Sequence, residues 1–240
     1  MNKFTTIKIK VPDLPTPFRS GNINYADAAT KNANIEMIRG IKSSYGSAIS
    51  RWGTIFEIPD GVIIGFIGTE SGGKMLAPNQ FKATGLMQVT PDALWEAGRK
   101  WQPTVKSPLP AEARTELTRQ IPTFFTSKAV EPDATTSNRI LSLLQRDANF
   151  NIMAGTLILR WLLERFSTSL TGGQLNKAMV AYNAGAYTRS LNRGTSPITA
   201  PIDTAVLVVN RLVPLESRAY LYKMMGKDGF LSLIYKDKVI

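Results

Sequence analysis

One apolar stretch, IPDGVIIGFIGTESGG at residues 58–73, constrains the fold more than any other part of the sequence. Its β-branched residues favour a strand, but its apolar residues recur at the spacing of one helical face. The residues on that face are Ile58, Val62, Ile63, Phe66 and Ile67. Pro59 suits a first helical turn, and Gly72 or Gly73 suits the position just past a helix end. The sequence therefore predicts a helix that ends close to Glu70.

The segment GTESGGKM at residues 68–75 has two interpretations. It matches a phosphate-binding loop, G-x-x-x-x-G-K-[S/T], except at its last position, where Met75 replaces the hydroxyl residue that binds magnesium. Such a loop also needs a strand before the glycines and a helix after them, and Pro78 and Gly85 disfavour that helix. We therefore expect no nucleotide site here.

The carboxyl group of Glu70 is the second interpretation of this segment. Glu70 follows Ile67, Phe66 and Ile63 by three, four and seven residues, so on a helix its carboxyl lies on the apolar face. It also lies at the C-terminal end, where the helix dipole disfavours negative charge. Both effects raise the pKa of a carboxyl group, and an acid that stays protonated near neutral pH can protonate a glycosidic oxygen. A solvated glutamate at a frayed helix end is the simpler alternative.

The 240-residue chain contains no histidine and no cysteine. Zinc hydrolases and Ser-His-Asp or Cys-His hydrolases need those side chains, so the composition excludes them. Carboxylates are the main acid–base groups that remain. Hydrophobic residues make up 43% of the chain and charged residues 20%, which is typical of a globular protein rather than a disordered one.

The formal net charge of +11 favours anionic partners such as nucleic acid, anionic lipid or a wall polymer. The charges are dispersed rather than gathered in a tail, so general solubility explains them equally well. No run approaches the ~20 apolar residues of a membrane span, and the N-terminus lacks the apolar core of a signal peptide. We expect no membrane span and no export signal, unless processing has removed a leader.

The remaining sequence predicts a mostly α chain in two parts. Residues 1–53 form an N-terminal extension. In FTTIKIKV apolar and polar residues alternate, as in a strand with one solvent-exposed face. PDLPTP is predicted to be a stiff linker, and residues from about 24 to 52 are predicted to be helical. Residues 54–240 form the main domain. Its helical patterns include DALWEAGRKW, FNIMAGTLILRWLLERF, LNKAMVAYNAGAYTRSL with a break at Gly185, and PLESRAYLYKMMG. EPDATTSN is predicted to be a loop, and TAPIDTAVLVVNRLV is ambiguous.

Five short elements follow one another along the chain. They are Glu70-Ser71, Gly85-Leu-Met-Gln88, Asn151-Ile-Met-Ala-Gly155, Ala181-Tyr-Asn-Ala-Gly185 and Glu216-Ser-Arg-Ala-Tyr220. Their order, and the spacing between the first two, resemble the catalytic domain of soluble lytic transglycosylases, glycoside hydrolase family 23. GLMQ alone is a weak signal, but five ordered elements are specific. The resemblance covers about residues 54–228.

The resemblance implies a lysozyme-like α-helical fold with a long saccharide groove. It implies cleavage of the β-1,4 bond between N-acetylmuramic acid and N-acetylglucosamine in peptidoglycan. Glu70 matches the single catalytic acid, which protonates the leaving oxygen and then takes the proton of the muramyl 6-hydroxyl, leaving a 1,6-anhydro end. The substrate's own acetamido group assists, so the scheme implies no second carboxylate, no metal and no cofactor.

The resemblance also carries substrate-binding roles onto six positions. These are Ser71, Met87, Gln88, Tyr182, Asn183 and Tyr220. The first follows the catalytic acid, Met87 and Gln88 match residues that line the groove beside the acetamido groups, and Tyr220 matches a tyrosine that reaches towards the catalytic carboxyl. Asn183, with Tyr182 beside it, matches the segment behind the catalytic centre. Met87 and Tyr182 could equally well be core residues without a binding role. Gln88 and Asn183 are polar and need hydrogen-bond partners if they are buried.

The sequence departs from the family pattern in four places. Asn79 stands where many members have Ser, and Gly73 stands where many have an aromatic residue. The segments at about 92–150 and 186–214 are longer than the usual links, so we treat both as insertions that could form lids or partner surfaces.

The resemblance also bears on where the protein works. Bacterial members usually carry a leader, whereas wall-degrading enzymes without one are commonly phage proteins. The strand and stiff linker in residues 1–20 are suited to adding onto the sheet edge of another virion protein of the tail or baseplate. We therefore expect a virion-associated enzyme that acts in the host periplasm or cell wall and binds peptidoglycan, not nucleic acid. The alternative is that this strand packs on the chain's own domain.

Two other functions remain open at this point. One is a hydrolase similar to goose-type lysozyme, or a phage endolysin, for which Asp92 and Glu96 are the nearest candidates for a water-activating base. The other is a structural or wall-binding virion protein without catalysis.

Overall fold

The computed structural model describes residues 9, 11, 12, 14, 28–104, 108–166, 175–194 and 196–240. Within these ranges the regular structure consists of ten helices and one two-stranded sheet. The helices are α1 (Ala28–Phe56), α2 (Asp60–Ser71), α3 (Pro91–Thr104), α4 (Ala111–Gln120), α5 (Ala134–Arg146), α6 (Ala148–Arg165), α7 (Leu175–Ala184), α8 (Thr204–Val209), α9 (Leu215–Met225) and α10 (Phe230–Tyr235). Strands β1 (Asn192–Arg193) and β2 (Ser196–Pro197) are antiparallel. The mostly α class predicted from the sequence is confirmed.

Helix α2 is enclosed by the other elements of the core. Every residue from Gly61 to Gly68 is buried, so the helix is apolar on all sides rather than along one stripe. Helices α1, α9 and α10 pack around it. At Gly68 a Cβ atom would lie 2.5 Å from the ring of Phe230, so glycine is what lets α10 approach. The predicted helix is confirmed. The sequence predicted one buried face, whereas in the structure all sides of the helix are buried.

The ends of α2 follow the sequence signals. Pro59 directly precedes the first helical residue, and Gly72 ends the helix in the left-handed conformation with φ of 63°. The backbone N–H of Gly72 donates to the carbonyl oxygen of Gly68. A phosphate-binding loop would need a strand before these glycines and a helix after them, but here a helix precedes them and residues 72–90 form none.

Helix α1 crosses the boundary that the sequence predicted between residues 53 and 54. Its side chains of Ile49, Trp52 and Phe56 are buried in the same core as α2. It packs against α2 and α6, and the indole Nε1 of Trp52 donates to Oδ1 of Asn149 at 2.9 Å. The part of the extension from residue 28 onward therefore belongs to the main domain.

The N-terminal segment also contacts this core. Ile9, Val11 and Leu14 pack against it, and Val11 is only 8% exposed. Residues 9, 11 and 12 are not in a strand, and most of the predicted strand and linker lies outside the described residues. The apolar side chains that were expected to meet another protein, Ile9 and Val11, are thus in contact with the chain itself.

The first insertion, residues 92–150, is a helical layer on α6. Helix α3 packs against α5 and α6, and the rings of Trp95 and Phe124 meet edge to face with centroids 5.1 Å apart. The predicted loop EPDATTSN is wrong in its second half, because α5 begins at Ala134. Asp133 caps this helix by accepting a hydrogen bond from the backbone N–H of Thr136 at 2.7 Å. Polar residues favoured at a helix start resemble a loop in sequence.

Three short elements were not resolved by the sequence pattern. The ambiguous segment TAPIDTAVLVVNRLV contains α8, and neither α10 nor the β1–β2 pair was predicted. Each is six residues or fewer, which is too short for periodicity to distinguish a helix from a strand. No helix in the described ranges combines the length and apolarity needed to cross a membrane.

Lys177 on α7 connects the second insertion, residues 186–214, to the domain. Its side chain is fully buried, and Nζ donates to the carbonyl oxygens of Phe166 at 2.9 Å, Ile198 at 2.7 Å and Ala200 at 3.0 Å. Three acceptors need three N–H donors, which only the ammonium form has. Burial lowers the pKa of Lys177 to about 8, so the ammonium form still predominates at neutral pH.

Replacement of Lys177 by methionine should destabilise the fold. The variant keeps the length of the side chain but leaves three carbonyl groups without their donor, and we expect the free energy of unfolding to fall by about 3 kcal/mol. Denaturant unfolding measures this difference. The matched control is Lys128→Met at an exposed position, which should change the free energy by no more than about 0.5 kcal/mol. Equal stabilities of the two variants would contradict the role of Lys177.

Candidate active site

Glu70 lies in the last turn of α2 with its side chain part-buried. Its Oε1 accepts a hydrogen bond from the hydroxyl of Tyr220 on α9 at 2.8 Å. Burial raises the pKa of Glu70 to about 7, against the opposing effects of the Tyr220 hydrogen bond and the positive charge of Lys223. The raised pKa agrees with the sequence prediction, and the alternative of a solvated glutamate at a frayed end does not fit this geometry.

Three aromatic rings form the wall beside Glu70. Phe66, one turn earlier on α2, meets the ring of Tyr182 edge to face at 4.9 Å between centroids, and the ring of Tyr220 at 6.1 Å. Burial, followed by the charge of Glu70, raises the pKa of both tyrosines well above the usual value. Both hydroxyl groups therefore stay protonated and act as donors.

The turn at residues 85–88 forms the next part of the site. The hydroxyl of Tyr182 donates to the carbonyl oxygen of Met87 at 2.9 Å, which joins the turn to α7. Within the turn, Nε2 of Gln88 donates to the carbonyl oxygen of Gly85 at 2.9 Å, and Gln88 has φ of 47°. Gln88 is part-exposed, so it remains a candidate for contact with a ligand.

Met87 itself is a core residue. Its side chain is fully buried, and a Cβ atom at Gly155 would lie 2.5 Å from its sulfur, so it packs closely against α6. The predicted groove-lining role of the Met87 side chain is therefore replaced by the core alternative. Its backbone carbonyl, bound by Tyr182, is the part that belongs to the site.

Asn151 on α6 holds this turn in place. In the sequence it was part of one of the five elements, but it was assigned no role. It is fully buried, donates through Nδ2 to the carbonyl oxygens of Thr84 at 3.0 Å and Leu144 at 2.9 Å, and accepts from the backbone N–H of Met87 at 2.9 Å. A Cβ atom at Gly85 would lie 2.0 Å from Nδ2, so glycine is required there. An asparagine within an apolar helix is the sequence signal for such a partner.

Two other predicted residues have local structural partners. Ser71 donates to the carbonyl oxygen of Ile67 at 3.1 Å and accepts from the backbone N–H of Gly73 at 3.2 Å, so it secures the end of α2. Asn183 is exposed at the end of α7, and its Oδ1 accepts a hydrogen bond from Oγ of Ser217 on α9 at 2.6 Å. The second contact ties together the two helices that carry Tyr182 and Tyr220.

The two candidates for a water-activating base, Asp92 and Glu96, lie in more polar environments than Glu70. Asp92 is exposed in the first turn of α3, and Glu96 forms an ion pair with Lys100 at 2.7 Å. The influences that set the pKa of Glu70 are burial, a phenol and a lysine, none of which is a second carboxylate. Across the described ranges, no group of three or more histidine, cysteine or acidic residues could hold a metal ion.

In comparisons with known proteins, no protein-family model matches the chain and no curated protein matches it. At neutral pH the Glu70 carboxyl is divided between its protonated and ionised forms, because its pKa is about 7. Such a group can donate a proton in one step and accept one in the next.

Removal of the Tyr220 hydroxyl should raise the pKa of Glu70 further. The hydrogen bond stabilises the ionised carboxylate, so in Tyr220→Phe the carboxyl should titrate above about 7. A carbon-detected NMR titration of the glutamate carboxyl groups measures this shift. Tyr222→Phe, two positions along the same helix, is the matched control and should leave the titration of Glu70 where it is. A lower pKa in Tyr220→Phe would contradict the assignment.

Proposed function

We propose that the protein is a peptidoglycan lytic transglycosylase with Glu70 as its catalytic acid. The observation that carries the proposal is the part-buried Glu70 carboxyl, with a pKa of about 7 and a 2.8 Å hydrogen bond from Tyr220. Direct contacts support it, because residues from distant sequence elements meet here: Tyr182 binds the carbonyl of Met87, and Asn151 binds its N–H.

In the proposed reaction Glu70 begins as the acid. It gives its proton to the glycosidic oxygen as the bond to the muramyl anomeric carbon breaks, with the substrate's acetamido group assisting at that carbon. The resulting carboxylate is stabilised by the Tyr220 hydroxyl. It then takes the proton of the muramyl 6-hydroxyl, whose oxygen bonds to the anomeric carbon and closes the 1,6-anhydro ring. Glu70 ends protonated, as it began.

The environments of the other candidate acids favour the proposed reaction over hydrolysis. A hydrolase with two catalytic carboxyl groups uses the second to activate water or to attack the sugar. Of the two candidates for that role, Glu96 forms an ion pair with Lys100 at 2.7 Å and Asp92 is exposed in the first turn of α3. The anhydro route uses one carboxyl group in both steps.

Glu70→Gln should abolish wall digestion. The amide keeps the shape of the side chain but cannot supply the proton, so we expect release of muropeptides from purified sacculi to fall by about 100-fold or more. Mass spectrometry of the wild-type digest should show products one water lighter than those of lysozyme. Hydrated reducing ends would favour the lysozyme-like hydrolase, and equal inactivity of wild type and variant would favour a protein without catalysis.

The stability of the same variant separates loss of chemistry from loss of fold. The pKa of Glu70 is raised from 4.5 to about 7 in the folded state, so ionisation destabilises the fold as pH rises through that window. Glutamine does not ionise. Glu70→Gln should therefore be more stable than wild type at about pH 8, by up to about 3 kcal/mol, and similar to it at about pH 4. A large fall in melting temperature would show that inactivity reflects misfolding.

The proposed setting is a phage particle, where the enzyme would open the host wall locally. Docking through residues 1–20 must take account of Ile9 and Val11, which pack on the chain's own core. An attachment surface in this segment would therefore use side chains other than these two.

Deletion of residues 1–20 tests the attachment. We expect full-length protein in purified particles, loss of the shortened protein from them, and retained activity of the shortened protein on sacculi. Its melting temperature should be lower, because the packing of Ile9, Val11 and Leu14 is removed. Release only at host lysis, with none in particles, would identify an endolysin instead.

A further inference from the structure

The loop between α2 and α3 carries an exposed aromatic ring. This loop runs from Gly72 to Thr90, and its tip, defined here as Asn79–Ala83, presents Phe81 with 71% of its surface exposed. Among the described residues, Phe81 is the most exposed aromatic side chain. A single exposed apolar residue is common on protein surfaces, so its surroundings decide whether it could bind a ligand.

The tip holds Phe81 in a defined place. Oδ1 of Asn79 accepts hydrogen bonds from the backbone N–H groups of Phe81 at 2.8 Å and Ala83 at 3.1 Å. The backbone adds two more, from Asn79 N to the Ala83 oxygen at 3.0 Å and from Lys82 N to the Asn79 oxygen at 2.9 Å. Four hydrogen bonds within five residues make a preorganised turn, so the backbone that carries the ring is fixed before any ligand arrives.

The base of the same loop is part of the site wall. The backbone N–H of Gly85 and the hydroxyl of Thr84 both donate to the carbonyl oxygen of Leu76 at 2.9 Å, and the carbonyl of Thr84 is bound by Asn151. Phe81 is four residues from Gly85, so its Cα lies within about 14 Å of the turn that Tyr182 binds. The turn that carries Phe81 is thus joined directly to the wall of the site.

Positive charge accompanies the ring. Lys82, directly after Phe81, and Lys74, at the start of the loop, are both exposed. In peptidoglycan the sugar rings have apolar C–H faces, and the peptide stems attached to alternate sugars carry carboxylates. A phenyl ring with exposed ammonium groups on the same loop matches both features.

We propose that Phe81 is a stacking platform for a sugar ring of the glycan strand, with Lys82 and Lys74 binding carboxylates of its peptide stems. This subsite rests on the proposed function, since it takes the same substrate as Glu70. It lies on the loop between α2, which carries Glu70, and the turn at residues 85–88. The subsite determines how tightly the polymer is held rather than how the bond is broken.

Binding to sacculi tests the platform without cleavage. In the full chain carrying Glu70→Gln, the added change Phe81→Ala should weaken binding to purified sacculi about tenfold, which corresponds to about 1.4 kcal/mol. Phe81→Trp should restore it, because an aromatic face is kept. Val130→Ala is the matched control: Val130 is 87% exposed on another loop and should leave binding unchanged.

The lysines are tested by removing the peptide stems. Lys82→Gln should weaken binding to intact sacculi but not to glycan strands whose stems an amidase has removed, whereas Phe81→Ala should weaken both. If wild type digests sacculi and the Glu70→Gln parent binds them, but the added Phe81→Ala leaves binding as tight as in the parent, the platform is wrong and the proposed function stands. Attachment of Phe81 to a particle protein instead would appear as loss from virions with sacculus binding intact. A parent that binds no sacculi overturns both proposals.

Discussion

The enclosure of α2 is the constraint on which the site depends. Because α1, α9 and α10 surround this helix, its last turn remains at the edge of the core and carries Glu70 with it. Removal of the carboxyl from water raises its pKa, and Tyr220 and Lys223 keep the rise moderate. The packing that stabilises the fold therefore also sets the proton affinity of the acid, so the two properties cannot be changed separately at this position.

A small number of polar side chains then fix the irregular backbone around that helix. Asn151 satisfies three backbone groups near the turn at 85–88, and Tyr182 satisfies a fourth. Buried backbone groups without partners would be strongly unfavourable, so these side chains specify one conformation of the turn. Gly85 and Gly155 supply the space that this close packing needs. The conformation of the site wall is thus specified by polar hydrogen bonds and by the two glycines more than by apolar contacts.

The sequence predicted what local patterns determine. The helix before Glu70, its end at Gly72 and the raised pKa all follow from spacing within one segment. The buried position of Met87 did not, because a residue in an irregular turn has no periodicity that would tell which way it points. Lys177 was also missed, since its carbonyl partners lie 11 to 23 residues away and a lysine in a helical pattern is ordinarily exposed. The catalytic assignment comes from ordered motifs and remains a proposal.

The hydrogen bond between Asn183 and Ser217 has a consequence for how this chain can vary. Asn183 lies just before the second insertion, residues 186–214, and Ser217 lies just after it. The 2.6 Å hydrogen bond between Ser217 Oγ and Asn183 Oδ1 therefore holds the two ends of the insertion together. A segment whose ends already meet can be lengthened at a small entropic penalty, about 0.6 kcal/mol for each doubling of its length. The Asn183–Ser217 contact ties α7 and α9 directly to each other, while Lys177 also needs the carbonyl oxygens of Ile198 and Ala200 inside the segment. Those two contacts are made by backbone carbonyls, so exposed side chains and added residues elsewhere in the segment can vary while Tyr182 and Tyr220 keep their places.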